Sequence, residues 1–175
     1  QDLSKNYSAI ETPTWALLLA ESCRSVGHHV GILDVNAENL TLEDCFMRIS
    51  KIKPKLLCFT VYGQNVNAGT TSMSGALHLS NYLKQKEINI PIVYVGSHVQ
   101  SLPHETLENE KSIDIILTNE GVYSLRNLLS LDKFNPNNLK NIKGIGYRDN
   151  NEVYLNDPEK IVPQERMDID LPGYA

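Results

Sequence analysis

Lys55–Val61 (KLLCFTV) runs into Tyr62-Gly63-Gln64-Asn65, and the same arrangement recurs twice: Ile90–Val95 (IPIVYV) runs into Gly96-Ser97-His98, and Ile113–Leu117 (IDIIL) into Thr118-Asn119-Glu120-Gly121. Each apolar run is short, and helical patterns separate them, so they read as parallel strands buried on both faces. In an open α/β sheet the ligand crevice lies beyond the carboxyl ends of such strands. Strands that close on small or hydrogen-bonding residues therefore predict one shared site, for a ligand large enough to touch several loops. The expected fold class is α/β, a flavodoxin-like or Rossmann-like doubly wound, mostly parallel sheet.

Working outward, Thr12-Pro13 predicts a helix start, with Thr12 as hydroxyl cap and proline at the first helical position. Trp15, Leu18, Leu19 and Cys23 give that helix an apolar stripe, and Gly27 ends it. Val30–Val35 predicts a strand closing on Asp34. Thr41 caps a second helix, with Asp44 supplying an acidic group to its first turn. That helix runs to about Ile52 and stops at Pro54. Beyond Val61 the polar stretch Tyr62–Thr71 (YGQNVNAGTT) reads as a loop, followed by a helix from about Thr70 to Lys86. Pro103 starts a short helix, and Tyr123–Leu131 forms another. Asp132–Asn141 reads as a linker. Ile142–Arg148 and Glu152–Leu155 flank Asp149-Asn150-Asn151, a β-hairpin pattern. The tail Asn156–Ala175 has little periodicity and is expected to be extended. These elements divide into a ligand-binding domain over residues 1–131 and a hairpin plus linker over 132–175.

The chain opens with a loop and a helix, whereas a doubly wound domain starts with a strand that becomes central to its sheet. A sheet without that strand exposes backbone donors and acceptors. The expectation is that the first strand lies upstream of Gln1; the alternative is a compensating role for Gln1–Tyr7.

The 175 residues suit one domain with an appendage, and 41% hydrophobic content with a net charge of −5 argues for a soluble chain. No basic cluster exceeds the scattered Lys51-Ile52-Lys53-Pro54-Lys55, which argues against nucleic-acid binding. No apolar run is long enough for a bilayer, and no signal-peptide pattern is present. Cys23, Cys45 and Cys58 are odd in number and widely spaced, so no disulfide framework is expected and a cytoplasmic location is the default. Cys58 sits mid-strand as a small apolar filler.

The loop Tyr62–Thr71 exceeds the usual length of strand-to-helix connections and is dense in amides and hydroxyls. Asn67, Thr70 and Thr71 serve equally as turn and cap residues. Gly96 lets backbone approach a flat ligand. His98 reads as a ligand, a proton donor or a plain loop residue, and Glu120 as a site group or a helix cap. His28-His29 lies in a turn at the opposite end of the sheet. No cysteine pair is spaced for zinc, and neither a phosphate loop nor a nucleophile elbow is present.

Several stretches, taken in order, carry a family likeness. Thr12-Pro13-Thr14-Trp15-Ala16 leads through Gly27-His28 to Gly31-Ile32-Leu33-Asp34. Lys53-Pro54-Lys55 introduces a strand. Val95-Gly96-Ser97-His98 precedes Leu102-Pro103, and Thr118-Asn119-Glu120-Gly121 follows. Ile142–Asp149 and Asp170-Leu171-Pro172-Gly173-Tyr174-Ala175 complete the series. In this order and spacing the chain resembles the amino-terminal cobalamin-binding domain of cobalamin-dependent radical S-adenosylmethionine enzymes. It departs from that pattern at Ser97 and Asn119, where the family carries glycine. The Asp-x-His-x-x-Gly motif of other cobalamin domains is absent, so the resemblance implies cobalamin bound without a protein histidine on cobalt.

The resemblance implies that the dimethylbenzimidazole tail lies along the loops of Gly96 and Glu120. The implied cofactor-binding residues are Tyr7, Thr12, Pro13, Trp15, Thr60, Tyr62, Gly63, Gln64, Asn65, Gly96, Ser97, His98, Val99, Leu102, Asn119, Glu120, Gly121 and Tyr123, with no catalytic residue and no metal ligand among them. It further implies a parent enzyme, a methyltransferase, that also uses S-adenosylmethionine and a [4Fe-4S] cluster held by a carboxyl-terminal radical domain. The Cys-x-x-x-Cys-x-x-Cys motif of that cluster does not occur in these residues. Two rival readings are a cofactor-free receiver or interaction module, and a small-molecule enzyme using Glu120 or His98 as acid or base.

Overall fold

A computed structural model describes residues 12–62 and 66–173, and for residues 66–71 the backbone alone. Five strands form one sheet in the order β1 (Leu57–Thr60), β2 (Ile92–Val95), β3 (Ile115–Leu117), β4 (Ile145–Asp149) and β5 (Glu152–Leu155). The first three run parallel, with Leu57 opposite Ile92 and Val93 opposite Ile115. β4 and β5 turn antiparallel onto β3, with Leu117 opposite Ile145. The expected α/β sheet is therefore present, but mixed and not mostly parallel: β1–β3 are parallel and the hairpin adds two antiparallel pairings. Asn150 and Asn151 take positive φ (48° and 69°), which suits the tight turn of a two-residue hairpin. Every side chain of β2 is buried, as expected of a strand covered on both faces.

Helices cover the two faces. On one lie α1 (Thr14–Arg24), α6 (Val122–Leu129) and the short α7 (Pro136–Leu139). Leu18, Leu19, Val122, Leu125 and Leu139 pack there against Val93, Val95, Ile115 and Leu117. On the other lie α2 (Leu42–Ile52), α3 (Val66–Gln85), α4 (Ser97–Ser101) and α5 (Pro103–Asn109). Cys45, Ile49, Leu83, Val99 and Leu107 pack there against Ile92, Tyr94 and Ile116. A polar chain runs inside this second layer: the Tyr94 hydroxyl donates to Ser80 Oγ (2.9 Å), which lies 2.8 Å from Ser112 Oγ. Arg148 on β4 donates to the carbonyls of Leu107, Lys111 and Ile113, tying the hairpin to the end of α5.

The cap of α2 follows the sequence reading. Thr41 Oγ1 accepts from the Asp44 amide (3.1 Å), and Asp44 Oδ2 accepts from the Thr41 amide (3.0 Å). α1 differs. Pro13 itself is the cap position, and the expected Thr12 hydroxyl cap is not made; the Thr12 carbonyl accepts from Thr14 instead. α3 begins at Val66, so half of the expected polar loop is helical backbone. Helix propagation over twenty residues outweighs the weak propensity of individual Asn, Thr and Gly. The expected linker contains α7, capped by Asn135 Oδ1 from the Asn138 amide (3.0 Å).

The tail is not simply extended. It carries a 3₁₀ turn (Gln164–Arg166) and a helical turn, α8 (Met167–Asp170), and it buries Val162 and Leu171 in the first layer. Apolar anchors at these two positions, not periodicity, dock it. Val30–Val35 departs the other way. It has no regular structure and runs into a turn at Val35; it packs Val30 into the first layer and Leu33 and Val35 into the second, yet joins no sheet. Strand formation needs a neighbour, and among the described residues β1 pairs only with β2.

The three cysteines are free, as expected. Burial pushes the Cys23 thiol up to about 11 and the Cys58 thiol up to about 12, so both are neutral fillers. Among the described residues no helix is long and apolar enough to cross a membrane.

Candidate functional site

Parallel pairing of β1, β2 and β3 brings their carboxyl ends to one edge, where Thr60–Tyr62, Gly96–Ser97 and Asn119–Gly121 form a common rim. Two glycines make the approach possible. A Cβ on Gly96 would lie 1.9 Å from the Val61 carbonyl oxygen, so only glycine fits beside the last bond of the β1–β2 ladder (Val61 amide to Val95 carbonyl, 2.8 Å). Gly121 takes φ +87° to start α6, and a Cβ there would meet Leu117 Cδ1 at 2.7 Å.

Side chains knit the rim together. Trp15, entering from α1, donates its indole N–H to the Glu120 carbonyl (3.0 Å) and meets the Tyr62 ring edge-on at 5.8 Å. Gln100 on α4 donates to the Tyr62 hydroxyl (2.9 Å) and to the Asn119 carbonyl (2.6 Å). Burial pushes the Tyr62 hydroxyl up to about 12, with the Gln100 bond acting against it, so it stays a neutral hydroxyl. Asn119 Oδ1 accepts from the Gly121 amide (2.9 Å), and its Nδ2 donates to the Glu159 carbonyl (3.1 Å). The amide at this position thus fastens the tail to the rim. Glu120 extends the same seam: its carboxylate accepts from the Val162 amide, while burial raises its pKa.

One rim group is left unsatisfied. Ser97 Oγ is buried from water and makes no hydrogen bond among the described residues. A buried polar atom without a partner is costly; Ser22 Oγ on α1 shares this state, but Ser97 is the one at the rim.

The remaining sequence candidates are distributed as follows. Thr12 is exposed and Pro13 half-buried at the start of α1, beside Trp15. Val99 is fully buried in the second layer. His98 lines a cavity of about 540 Å³ on that layer with His78, Asn81 and Glu110, and a smaller one of about 170 Å³ with Leu102 and Glu105. Tyr123 turns toward the tail, its hydroxyl donating to Asp170 Oδ2 (2.7 Å) and its ring lying 5.0 Å from Lys160 Nζ. Tyr7, Gly63, Gln64 and Asn65 lie outside the described residues. The Glu120 carboxylate thus bonds the tail, whereas His98 lines the second-layer cavities. Among the described residues no cluster of histidine, cysteine and carboxylates is disposed to hold a metal ion.

Gln100, Glu159 and Val162 were not singled out by sequence. Gln100 lies one helical turn beyond Gly96, the signal that could have found it. The tail residues carry no such local signal.

Comparison with known proteins places this geometry. Residues 3–129 match the B12 binding domain. An uncharacterized methyltransferase of Pyrococcus horikoshii is 30% identical over 148 residues, covering 84% of this chain and 30% of that protein. An anaerobic magnesium-protoporphyrin IX monomethyl ester cyclase of Synechocystis sp. is 26% identical over 160 residues, covering 91% of this chain and 30% of that protein. The chain thus spans less than a third of the curated relatives it matches. Among solved structures, the cobalamin-dependent S-adenosylmethionine radical enzyme OxsB with aqua-cobalamin and S-adenosylmethionine bound superposes with a TM-score of 0.70 at 17% identity, over 98% of this chain and 22% of that one. That likeness concerns the fold. With a family match over most of its length, this chain belongs to the B12-binding domain family.

Proposed function

We propose that the rim holds cobalamin with no histidine of this chain on its metal, as the cofactor module of a radical S-adenosylmethionine methyltransferase whose [4Fe-4S] cysteines and S-adenosylmethionine site belong to a carboxyl-terminal domain. The observation that carries the reading is Ser97 Oγ, buried and unpartnered among the described residues where three strand ends meet. A corrinoid bristles with amides, a phosphate and a ribose, any of which can satisfy a buried hydroxyl. The rest of the rim is made of hydroxyl, amide and carbonyl groups of the same type.

Histidine placement supports the absence of an imidazole ligand. His28 and His29 follow α1 at the far end of the sheet, and His104 is exposed at the start of α5. His78 and His98 line the second-layer cavity. When bound, the cobalt supplies a site that carries a methyl group. The chain's own residues bind and orient: Gly96 and Gly121 allow close approach, Ser97 and Asn119 offer hydrogen bonds, and Trp15 and Tyr62 present aromatic faces. Trp15 and Gln100 bridge the rim through the Glu120 and Asn119 carbonyls.

Titration of the full-length protein with hydroxocobalamin, followed by visible absorption, tests the reading. Binding is expected, with the spectrum unchanged by His98→Ala and His78→Ala and affinity weakened at least ~10-fold by Ser97→Val, about one lost hydrogen bond to a buried group. An absence of binding, or a spectrum that changes in either histidine variant, overturns it.

A further inference from the structure

We propose that Asp170 is a positioning residue for the rim: it docks the tail, the docked tail fixes the Asn119–Glu120 peptide, and tail docking and corrinoid binding therefore stabilise each other. The inference rests on the rim as the corrinoid site and adds a remote group that sets its affinity.

Four long-range bonds meet at Asn119–Glu120. The two carbonyls accept from helices on opposite layers, Asn119 from Gln100 on α4 (2.6 Å) and Glu120 from Trp15 on α1 (3.0 Å). The two side chains both go to the tail. Asn119 Nδ2 donates to the Glu159 carbonyl (3.1 Å), and the Glu120 carboxylate accepts from the Val162 amide. The tail thus supplies two of these four bonds. They act on a short connection, from Leu117 at the end of β3 to Val122 at the start of α6. The approach is close: a Cβ on Gly144 would lie 2.7 Å from Glu159 Cβ, so the chain there leaves room for the tail.

The tail is held at its other end by Asp170. That carboxylate accepts from the Tyr123 hydroxyl (2.7 Å), Arg126 Nη1 (2.9 Å) and Arg166 Nε (3.0 Å), and Arg126 Nη2 donates to the Asp170 carbonyl (2.9 Å). Among the described residues Asp170 itself makes no bond to the rim peptide. Arg126 also donates to the Ser22 carbonyl (3.1 Å), which ties the same cluster to α1, the helix that carries Trp15 to the rim. Tyr123 carried a site signal in the sequence; its hydroxyl is spent on Asp170, so it serves the rim from the tail side.

The two states are tail docked and tail released. Docking removes freedom from Asn119 and Glu120 before a ligand arrives, and groups ordered in advance cost the ligand less to bind. The coupling is reciprocal: what the tail adds to ligand affinity, the ligand returns as protection of the tail. Asparagine at position 170 loosens the tail but leaves Val162 and Leu171 to anchor it, so the expected effect sits at the low end of such couplings.

Hydroxocobalamin titration of the full-length protein, read by visible absorption, tests this together with amide hydrogen exchange. Asp170→Asn is expected to weaken binding about 5-fold. With no corrinoid present it is expected to speed exchange of the Gly121 and Val162 amides, which bond Asn119 Oδ1 and the Glu120 carboxylate. In the parent, binding is expected to slow both. Arg166→Gln, at a half-exposed partner of Asp170, should move both readouts the same way by less, and it decides the matter if Asp170→Asn does not fold. Tyr94→Phe breaks a buried bond in the other layer and should bind like the parent. Parent-like affinity in the Asp170 and Arg166 variants overturns the inference. So does unchanged exchange at Gly121, or equal weakening by Tyr94→Phe, which would make the effect one of general stability. A parent that does not bind overturns the reading of the rim as a corrinoid site, and the coupling with it.

Discussion

The two margins of the parallel strands are built from the same apolar material and finished in opposite ways. Beyond β3, the hairpin completes the backbone pairing and the tail seals the first layer through Val162, Leu171 and Asp170. Beyond β1, Val30–Val35 and Leu56–Phe59 fill both layers with side chains, but no ladder joins them. Burial in two layers and strand pairing are thus separable. The first needs only apolar residues at the right spacing, the second needs a neighbour. The rim inherits the difference: Asn119 and Glu120 are anchored to the tail, while Thr60 and Tyr62 end a strand that pairs on one side only among the described residues.

Gly96→Ala tests the point where both margins meet and has the largest expected effect. A methyl group 1.9 Å from the Val61 carbonyl must push β1 and β2 apart. A loss of at least ~3 kcal/mol in urea unfolding is expected, at the upper end for overpacking because backbone is struck. A near-normal midpoint would show that the β1 margin yields freely.

Asp170→Asn probes the sealed margin. Asp170 pairs with Arg126 (2.9 Å), both largely buried, and with the half-exposed Arg166 (3.0 Å), which adds less. Its Arg166 bond, with those from Tyr123 and Arg126, holds the carboxyl well below the ordinary carboxylate range against the opposing effect of burial. A loss of about 2–3 kcal/mol is expected at neutral pH, short of the full cost of a broken buried pair because Asn keeps the Tyr123 bond. A depressed pKa means the contribution is complete above the unfolded carboxylate value of about 4 and fades as acid is added. The stability gap between variant and parent should therefore close below about pH 4. A gap constant to pH 2 would mean that packing, not charge, docks the tail.

Much of this was legible locally. The apolar runs became β1, β2 and β3, the Thr41–Asp44 cap formed, and Asn150-Asn151 turned the hairpin. Each depends on residues a few positions apart. Val30–Val35 carried the right pattern but not its pairing, because a pattern does not encode a partner. The Asn- and Thr-rich stretch after Tyr62 reads as loop by residue type alone, but the long helix behind it extends back to Val66. At the rim, glycines and the Asn119–Glu120 pair were legible as strand-end signals. Gln100 was not, since its partners Tyr62 and Asn119 are 38 and 19 residues away. Asp170 and its partners Arg126 and Tyr123 are likewise 44 and 47 residues apart.

Cys58→Ala sharpens the contrast from the open side. The thiol is a neutral filler on the edge strand, and in the 175-residue chain its loss should cost about 1 kcal/mol, the low end for trimming a core side chain. A cost above ~3 kcal/mol, measured by denaturant titration, would erase the distinction between the margins.

Glu120→Gln has the smallest expected effect and the opposite pH dependence to Asp170. Burial raises the Glu120 carboxyl pKa, and the Val162 amide only partly opposes this. A raised folded pKa contributes stability below the unfolded carboxylate value, and that contribution is lost as pH rises through the folded one. At pH 8 the parent therefore holds a charge where the fold prefers none. Glutamine keeps an oxygen for the Val162 amide and removes the charge. A gain of under ~1 kcal/mol is expected at pH 8, reduced by solvent screening because the carboxyl is only partly buried, and it should vanish near pH 4 where the parent is neutral. Asp170 thus stabilises when ionised and Glu120 when neutral, although both fasten the same tail. A Glu120→Gln variant that loses stability at pH 8 would mean that the ionised Glu120–Val162 bond outweighs the burial of its charge, and would make the rim end of the tail as dependent on charge as its Asp170 end.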